Sequence, residues 1–274
     1  MKISIIIPTY KPKDYLWECL DSIVVQSFSK KDFELILVLN GCCEPWKTDI
    51  EKYIASKMIG MNIKFIQLDE GGVSNARNVA LDIVEGEYIT FIDDDDYISP
   101  SFLDDLYNAV TPDTISVCNT MAFWEGESGF VDFPLTNVYK ELAVKGVTTT
   151  SSKVRKFFSG PWMKLIPMSF IQGRKFDVRF KNGEDSIFMF LISDKFKRVS
   201  FSAPTAIYYR RFREGSAVTS HRSRYDIILN GLKMMSVYCG IYFRHPWRYS
   251  FNFFITRILG ACHGILVGVE RKLN

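Results

Sequence analysis

Four short apolar runs divide the first ninety residues, each ending at residues that cannot continue it. "ISIIIP" (3–8), "FELILVLNG" (33–41), "IKFIQL" (63–68) and "YITFI" (88–92) are rich in β-branched and aromatic residues and bounded by Pro, Gly or Asp. Such runs predict buried strands. Between them the apolar positions take helical spacing. Over 14–27 Leu16, Leu20, Ile23 and Val24 fall on one face, with Asp14 placed as N-cap, and a second helix is predicted over about 46–58. "GGVSNARNVALDIVEGEY" (71–88) predicts a Gly turn, a helix with Val79, Ile83 and Val84 inward, and a Gly exit. This alternation predicts an α/β fold: a Rossmann-like, mostly parallel sheet with helices on both faces. Ligands of such sheets lie beyond the carboxyl ends of the strands. "PTY", "LNG", "DEGG" and "DDDD" all follow strand ends, so the unusual residues converge on one rim.

From about residue 112 the alternation decays into mixed strands and loops, with "SGPWMK" (159–164) and "KNGEDSIFMF" (181–190) standing out. After about 222, long aromatic, apolar and basic stretches predict helices. The 274 residues, 47% of them hydrophobic, suffice for one large domain or a domain with an appendage. A formal charge of only +3 lacks the strongly basic signature of a nucleic-acid binder, and no nucleic-acid partner is expected. The six cysteines show neither CxxC pairing nor zinc-like spacing, and "MKISIIIPTY" lacks the features of a signal peptide. Reduced thiols and a cytoplasmic location are expected. Neither GxGxxG after the first strand nor GxxxxGK[ST] occurs, which removes the main support for dinucleotide-binding and P-loop readings.

The fourth strand runs straight into Asp93, Asp94, Asp95 and Asp96 in "FIDDDDYISP" (91–100). Packing that much like charge costs free energy unless a cation or solvent relieves it. Carboxylate oxygens at a strand end suit hard divalent cations, which in turn bridge diphosphate oxygens. The bland alternative is a loop capping the helix that begins near Pro100, but one cap uses one aspartate, not four. A second acidic pair, Glu184 and Asp185 in "GED", reads on sequence alone as a turn into a helix with an acidic first turn.

Taken together, "ISIIIPTY", "CLDSIVVQSF", "GGVSNARNVAL", "GEYITFIDDDDYISP", "WMKL" and "GEDSIF" resemble, in order and spacing, a family-two glycosyltransferase of the GT-A fold over roughly residues 1–215. The resemblance implies inverting transfer of a sugar, as a hexosyl or N-acetylhexosaminyl group, from a nucleotide-diphosphate-sugar donor to a hydroxyl of a glycan or lipid-linked glycan. It also implies Mn²⁺ or Mg²⁺ and a place in bacterial capsule, O-antigen or exopolysaccharide synthesis. Asp93 and Asp95 match the metal-holding positions of the family's acidic motif, Asp94 its variable slot beside the donor, and His221 is a further candidate metal ligand. Asp185 matches the catalytic base, ahead of Glu184, which with Trp162 and Lys164 matches the acceptor side. Pro8, Thr9 and Tyr10 match the nucleotide contact. Arg77 is left open between phosphate and Asp93. Arg210, Arg211 and Arg213 in "YYRRFREGSAVTSH" (208–221) are candidate diphosphate clamps.

One departure bears on the donor. Where the family carries "V-D-D-G-S" with an Asp on uracil, this chain reads "VLNGCCE", placing Leu39 and Asn40 there. Leu39 cannot accept the imide proton, and Asn40 is the candidate base contact, so UDP is only the default beside GDP and dTDP. The expected organisation is a GT-A catalytic domain over 1–221, with a nucleotide-binding half (1–111) and an acceptor-binding half (112–221), followed by a C-terminal helical extension over 222–274. In 234–274 Arg244, Arg248, Arg257 and His263 interrupt the apolar sequence and argue against a spanning helix. Two arrangements are compatible with it: helices packed on the domain, or peripheral contact with the inner face of the cytoplasmic membrane, with Trp247 and Tyr249 at headgroup depth. The rival functions are a degenerate sugar-nucleotide-binding protein and a nucleotidyltransferase, although "PTYKPKDY" lacks the Gly-rich basic loop of the latter.

Overall fold

The computed structural model describes residues 1–144, 146–149, 154–214 and 223–270. The amino-terminal half alternates as β1 (Ile3–Thr9), α1 (Tyr15–Val24), β2 (Phe33–Asn40), α2 (Trp46–Lys57), β3 (Asn62–Leu68), α3 (Val73–Asp82) and β4 (Tyr88–Phe91). There follow β5 (Tyr97–Ile98), α4 (Phe102–Ala109), β6 (Thr114–Val117), β7 (Asn119–Trp124), α5 (Pro134–Ala143), β8 (Val147–Thr149), a 3₁₀ turn (Val154–Ser159), β9 (Lys164–Pro167), α6 (Met168–Ile171), α7 (Glu184–Leu191), β10 (Arg198–Phe201) and β11 (Ile207–Phe212). Two long helices, α8 (Arg224–Arg244) and α9 (Phe251–Glu270), close the described chain.

Among the described residues the main sheet runs β3-β2-β1-β4-β9-β6-β10-β8, and a smaller sheet runs β5-β11-β7. β3, β2, β1 and β4 pair in parallel, so their carboxyl ends share one rim, as the alternation predicts. Their order follows from burial. β1 and β2 are fully buried and central, whereas β3 is only half-buried at the edge. Past β4 the sheet turns mixed: β9 is antiparallel to both β4 and β6. The sheet nevertheless crosses continuously from the amino-terminal half into the second.

Two local expectations are corrected. Asp14 has helical backbone angles and makes no capping bond, so it does not cap α1. Helix α3 ends at Asp82 and buries Ser74, Ala76, Arg77, Ala80 and Leu81, while Val79, Ile83 and Val84 are only half-buried. The alanines let the helix approach the sheet closely, and that rotation carries Arg77 inward.

The C-terminal helices pack on α7 and on each other. The Phe190 ring on α7 meets Tyr238 at 5.4 Å, Tyr249 at 5.3 Å and Phe253 at 5.8 Å between centroids. Tyr249 is buried and its hydroxyl donates to the Leu191 carbonyl at 3.0 Å, so it does not stand at headgroup depth. Trp247 is 97% exposed. By length and composition α9 does contain one window, Phe251–Gly268, apolar enough to cross a membrane, with a mean hydropathy of 1.4. Within that window Arg257 is buried against the domain, its guanidinium donating to Ser186 Oγ at 3.0 Å and to the Phe158 carbonyl.

Candidate active site

The four aspartates take four different partners on the rim beyond β4. The Asp93 amide donates to Tyr208 Oη at 3.1 Å, and the Asp96 amide closes a turn onto the Asp93 carbonyl at 3.1 Å. Thr9 at the end of β1 donates its hydroxyl to Asp94 Oδ2 at 2.5 Å. Arg213 Nε donates to Asp95 Oδ2 at 2.8 Å. Asp96, nearly fully buried, accepts the Arg211 amide at 2.8 Å on Oδ1. None of them caps α4, whose N-cap position is Ser101. The capping alternative therefore fails.

Asp93 and Asp95 keep 30% and 18% of their side chains exposed, and these are the two whose carboxylates meet guanidinium groups. Asp94 is pushed up to about 7, first by burial and then by the negative charge of Asp95. Burial and neighbouring carboxylates likewise push Asp95 and Asp96 up. The turn is short of positive charge.

One guanidinium ties this turn to the second acidic pair. Arg77, 2% exposed, donates from Nη2 to Asp93 Oδ1 at 2.9 Å and from Nη1 to Asp185 Oδ1 at 2.5 Å. It lies 5.9 Å from the Phe91 ring centroid and 5.3 Å from that of Phe176. Of the two partners left open for Arg77, the structure selects the carboxylate and adds a second one from 108 residues away. Buried this deeply, Arg77 positions carboxylates and does not reach outward to a phosphate.

Asp185 owes its place to a glycine. Gly183 has φ of +89°, and a Cβ there would also strike the Met234 side chain, so the chain turns sharply and starts α7 at Glu184. Asp185 keeps 22% of its side chain exposed. Burial pushes its carboxyl up, and Arg77 pulls against that shift. Glu184 is 8% exposed, is pushed up to about 7 by burial and then by Asp185, and leaves Oε2 without a partner. It sits behind Asp185 and does not reach an acceptor.

Several other expected site residues prove to be braces. Asn40 is buried, donates from Nδ2 to the Thr9 carbonyl at 2.7 Å, and accepts the Gly72 amide on Oδ1 at 2.8 Å. Both ends of its amide are engaged in joining the ends of β1 and β2 to the turn before α3, and at 4% exposed it is a brace rather than an outward-facing base contact. Beside it, Gly41 with φ of +66° would bring a Cβ within 2.6 Å of Gly71 Cα, which is why two glycine-bearing turns meet there. Pro8 and Thr9 are buried, which leaves Tyr10, 53% exposed, as the outward-facing residue of "PTY". Lys164 has no exposed surface and donates to the Gly160 and Trp162 carbonyls at 2.7 Å each, with burial lowering its ammonium to about 7. It cannot touch an acceptor. Trp162 is buried, with Tyr208 5.1 Å away and the Arg210 guanidinium 4.6 Å from its ring, so it is not free to stack on a sugar.

The three arginines do not form one clamp. Arg210 lies on Trp162; Arg211 is drawn to Glu18 of α1 and to the Asp95 carbonyl at 2.9 Å; Arg213 holds Asp95. The period-two alternation of a strand already separates Arg210 from Arg211. Glu18 and Tyr208 are the site residues sequence reasoning missed. Tyr208 had a signal, since it shares the inward parity of its strand; Glu18, on a polar face of α1, had none. His221 lies outside the described residues.

Among the described residues there is no group of three His, Cys, Asp or Glu able to hold a metal ion by themselves. The donor set nevertheless fits a hard divalent ion bound through one or two carboxylates and completed by phosphate or water oxygens. Asp93 and Asp95 supply such oxygens in a turn where carboxylates outnumber cations.

The sequence profile described as "Glycosyl transferase family 2" matches residues 4–157, just over half of the chain. The chain belongs to glycosyl transferase family 2. Among curated members of the family, it is 34% identical over 217 residues to a poly(ribitol-phosphate) beta-glucosyltransferase of Bacillus spizizenii, covering 78% of this chain and 33% of that protein. It is 30% identical over 228 residues to the glycosyltransferase GlyA of Streptococcus pneumoniae, covering 78% of this chain and 31% of that one. The chain thus spans about a third of the length of these relatives. Among solved structures, TarS 1–349 of Staphylococcus aureus in complex with UDP-GlcNAc superposes with a TM-score of 0.69 at 25% identity, over 87% of this chain and 67% of that one. The family-two fold here is therefore of the GT-A type, as the resemblance implies.

Proposed function

We propose that the protein moves a hexosyl or N-acetylhexosaminyl group, with inversion, from a nucleoside-diphosphate sugar to a hydroxyl of a glycan or lipid-linked glycan in bacterial surface-polymer synthesis. The single observation that carries this reading is the Arg77 bridge, which holds the donor-side carboxylate Asp93 and the carboxylate of Asp185 on one guanidinium. Asp185 is the base: it takes the acceptor proton as the hydroxyl oxygen attacks the anomeric carbon from the face opposite the departing diphosphate. Arg77 aims that carboxylate and opposes the upward shift that burial imposes on it. Asp93 and Asp95 would hold Mn²⁺ or Mg²⁺, with His221 as a further ligand. Such an ion supplies Lewis-acid neutralisation of the diphosphate. Tyr10 faces the nucleotide, and Arg213 exchanges Asp95 for donor phosphate. UDP is the favoured donor nucleotide, because the solved relative TarS carries UDP-GlcNAc.

Asp95→Asn tests the donor side. An amide is a weaker ligand and cannot neutralise a cation. Calorimetric titration with UDP and Mn²⁺ should show affinity at least about tenfold weaker than wild type, roughly the loss of one charge-assisted contact. Unchanged affinity would remove Asp95 from the metal site. A sugar-nucleotide-binding protein without turnover would pass that test yet release no UDP from UDP-GlcNAc in Mn²⁺, so donor hydrolysis separates the two functions.

The domain reading extends to the membrane. Residues 1–221 form the catalytic unit, and α8 and α9 form the extension, which works at the inner face of the cytoplasmic membrane. Supporting this, the connection between these helices leaves Phe243, Arg244, Trp247, Arg248 and Phe251 exposed together, an aromatic and basic tip suited to an anionic interface. Wild-type protein should float with phosphatidylglycerol vesicles, and Phe243→Ser with Trp247→Ser should lose most of that binding without unfolding. Equal flotation of the two would end the membrane reading.

A further inference from the structure

A cleft of about 300 Å³ opens between α8, α9, the 3₁₀ turn and the start of α7. Two arginines line it, Arg155 and Arg257, together with Ser186, Asn230 and Tyr238, and its lining contains no carboxylate. Arg257 is 3% exposed, yet among the described residues it meets only neutral acceptors, Ser186 Oγ and the Phe158 carbonyl, and its Nε has no partner. Arg155 Nε is likewise buried and unpartnered. By contrast Arg77, Arg174, Arg211 and Arg213 each hold a carboxylate.

A buried guanidinium without a counter-ion is costly, and a second one beside it adds to the cost. Burial, reinforced by Arg155, lowers Arg257 to about 10. Gly260 and Gly264 line the space without side chains: a Cβ at Gly260 would come within 3.2 Å of Arg155 Nη1, and one at Gly264 meets nothing within 4 Å. A larger core side chain in place of either arginine would have been the cheaper way to close this junction. An anion resolves the imbalance.

We propose that this cleft binds a phosphoryl group, from a lipid headgroup or from free phosphate, between Arg155 and Arg257. Phosphate suits the pair because it is anionic and presents several oxygens, enough to engage both guanidinium groups and the neighbouring hydroxyl and amide groups. The cleft is distinct from the aspartate rim and does not depend on the catalytic reading. It does touch α7 through Ser186, which shares a 2.7 Å hydrogen bond with Tyr238 and adjoins Asp185.

The test keeps the donor site out of play with EDTA, which removes any divalent ion, at fixed ionic strength. Calorimetry and thermal unfolding are followed against inorganic phosphate, and against phosphatidylglycerol vesicles compared with phosphatidylcholine vesicles. Saturable binding is expected, weakened about tenfold or more in Arg155→Gln, the loss of one charge-assisted contact. Arg155 is only half-buried, so that variant should fold. Gly264→Leu provides a second route: a Cβ at Gly264 meets nothing within 4 Å, so leucine enters open space at the cleft and should block the ligand without disturbing the core. Saturation by inorganic phosphate assigns a soluble source; saturation by phosphatidylglycerol alone that Arg155→Gln weakens assigns a lipid headgroup. If neither ligand saturates, or if both variants bind as wild type does, the cleft is a packing gap and the proposal is overturned.

Discussion

Asp185→Asn is expected to lower glycosyl transfer by roughly two to four orders of magnitude while leaving nucleotide and metal binding within a few-fold of wild type. The asymmetry follows from where the carboxylate acts. In the proposed mechanism Asp185 acts on the acceptor hydroxyl, whose proton becomes acidic as the new bond forms, whereas Asp93 and Asp95 would act on the leaving diphosphate. Asparagine preserves shape, and its Oδ1 can still accept from Arg77 Nη1, so the bridge to Asp93 survives in outline. What is lost is the ability to take a proton. A merely structural carboxylate in the first turn of α7 would behave differently, since asparagine serves well at a helix start and activity would persist. Initial transfer rates with UDP-GlcNAc and a glycan acceptor, beside calorimetry with UDP, decide the matter. Rates within a few-fold of wild type would take the base role from Asp185, and Glu184, buried behind it, would be a poor successor.

Arg77→Met should act on stability and chemistry together. The substitution leaves Asp93 and Asp185 without the one cation they share, in a setting where burial already pushes the Asp185 carboxyl up. Removing one partner of a buried ion pair typically costs about 3–5 kcal/mol, because the charge left behind is uncompensated. Chemical denaturation should register a loss of that order, and transfer should fall with it. Adding Asp93→Asn to Arg77→Met should recover part of the lost stability by removing one of the stranded charges, although it cannot recover activity. Arg77→Lys discriminates further: a point charge on a flexible stem cannot span two carboxylates as the planar fork does, so it should keep more stability than activity. If Arg77→Met matched wild type in stability, the bridge would not be holding the site.

Much of this architecture is legible along the chain because it rests on local periodicity. Strands β1 to β4, the helices between them, the shared rim and the acidic turn all follow from runs of a few residues and their terminators. The parity of β11 also carried information: alternation sends Arg210 and Arg211 to opposite faces, and the structure shows them against Trp162 and Glu18 respectively. Side-chain type, by contrast, misled wherever a polar residue found its partners inside the protein. Asn40, Lys164 and Arg77 have the chemistry of ligand contacts, yet each is held by backbone or carboxylate partners and keeps almost no exposed surface.

The sequence by itself determined the α/β alternation, the family, and the acidic and basic residues set at the strand ends, since these depend on composition and spacing over short windows. Only the tertiary structure decided how those residues are paired. Arg77 joins Asp93 to Asp185 across 108 positions, and Arg257 of α9 reaches Ser186 beside that same aspartate. The physical reason is common to both. An ion pair or buried hydrogen bond is set by distance and burial in space, and neither leaves a period in the chain.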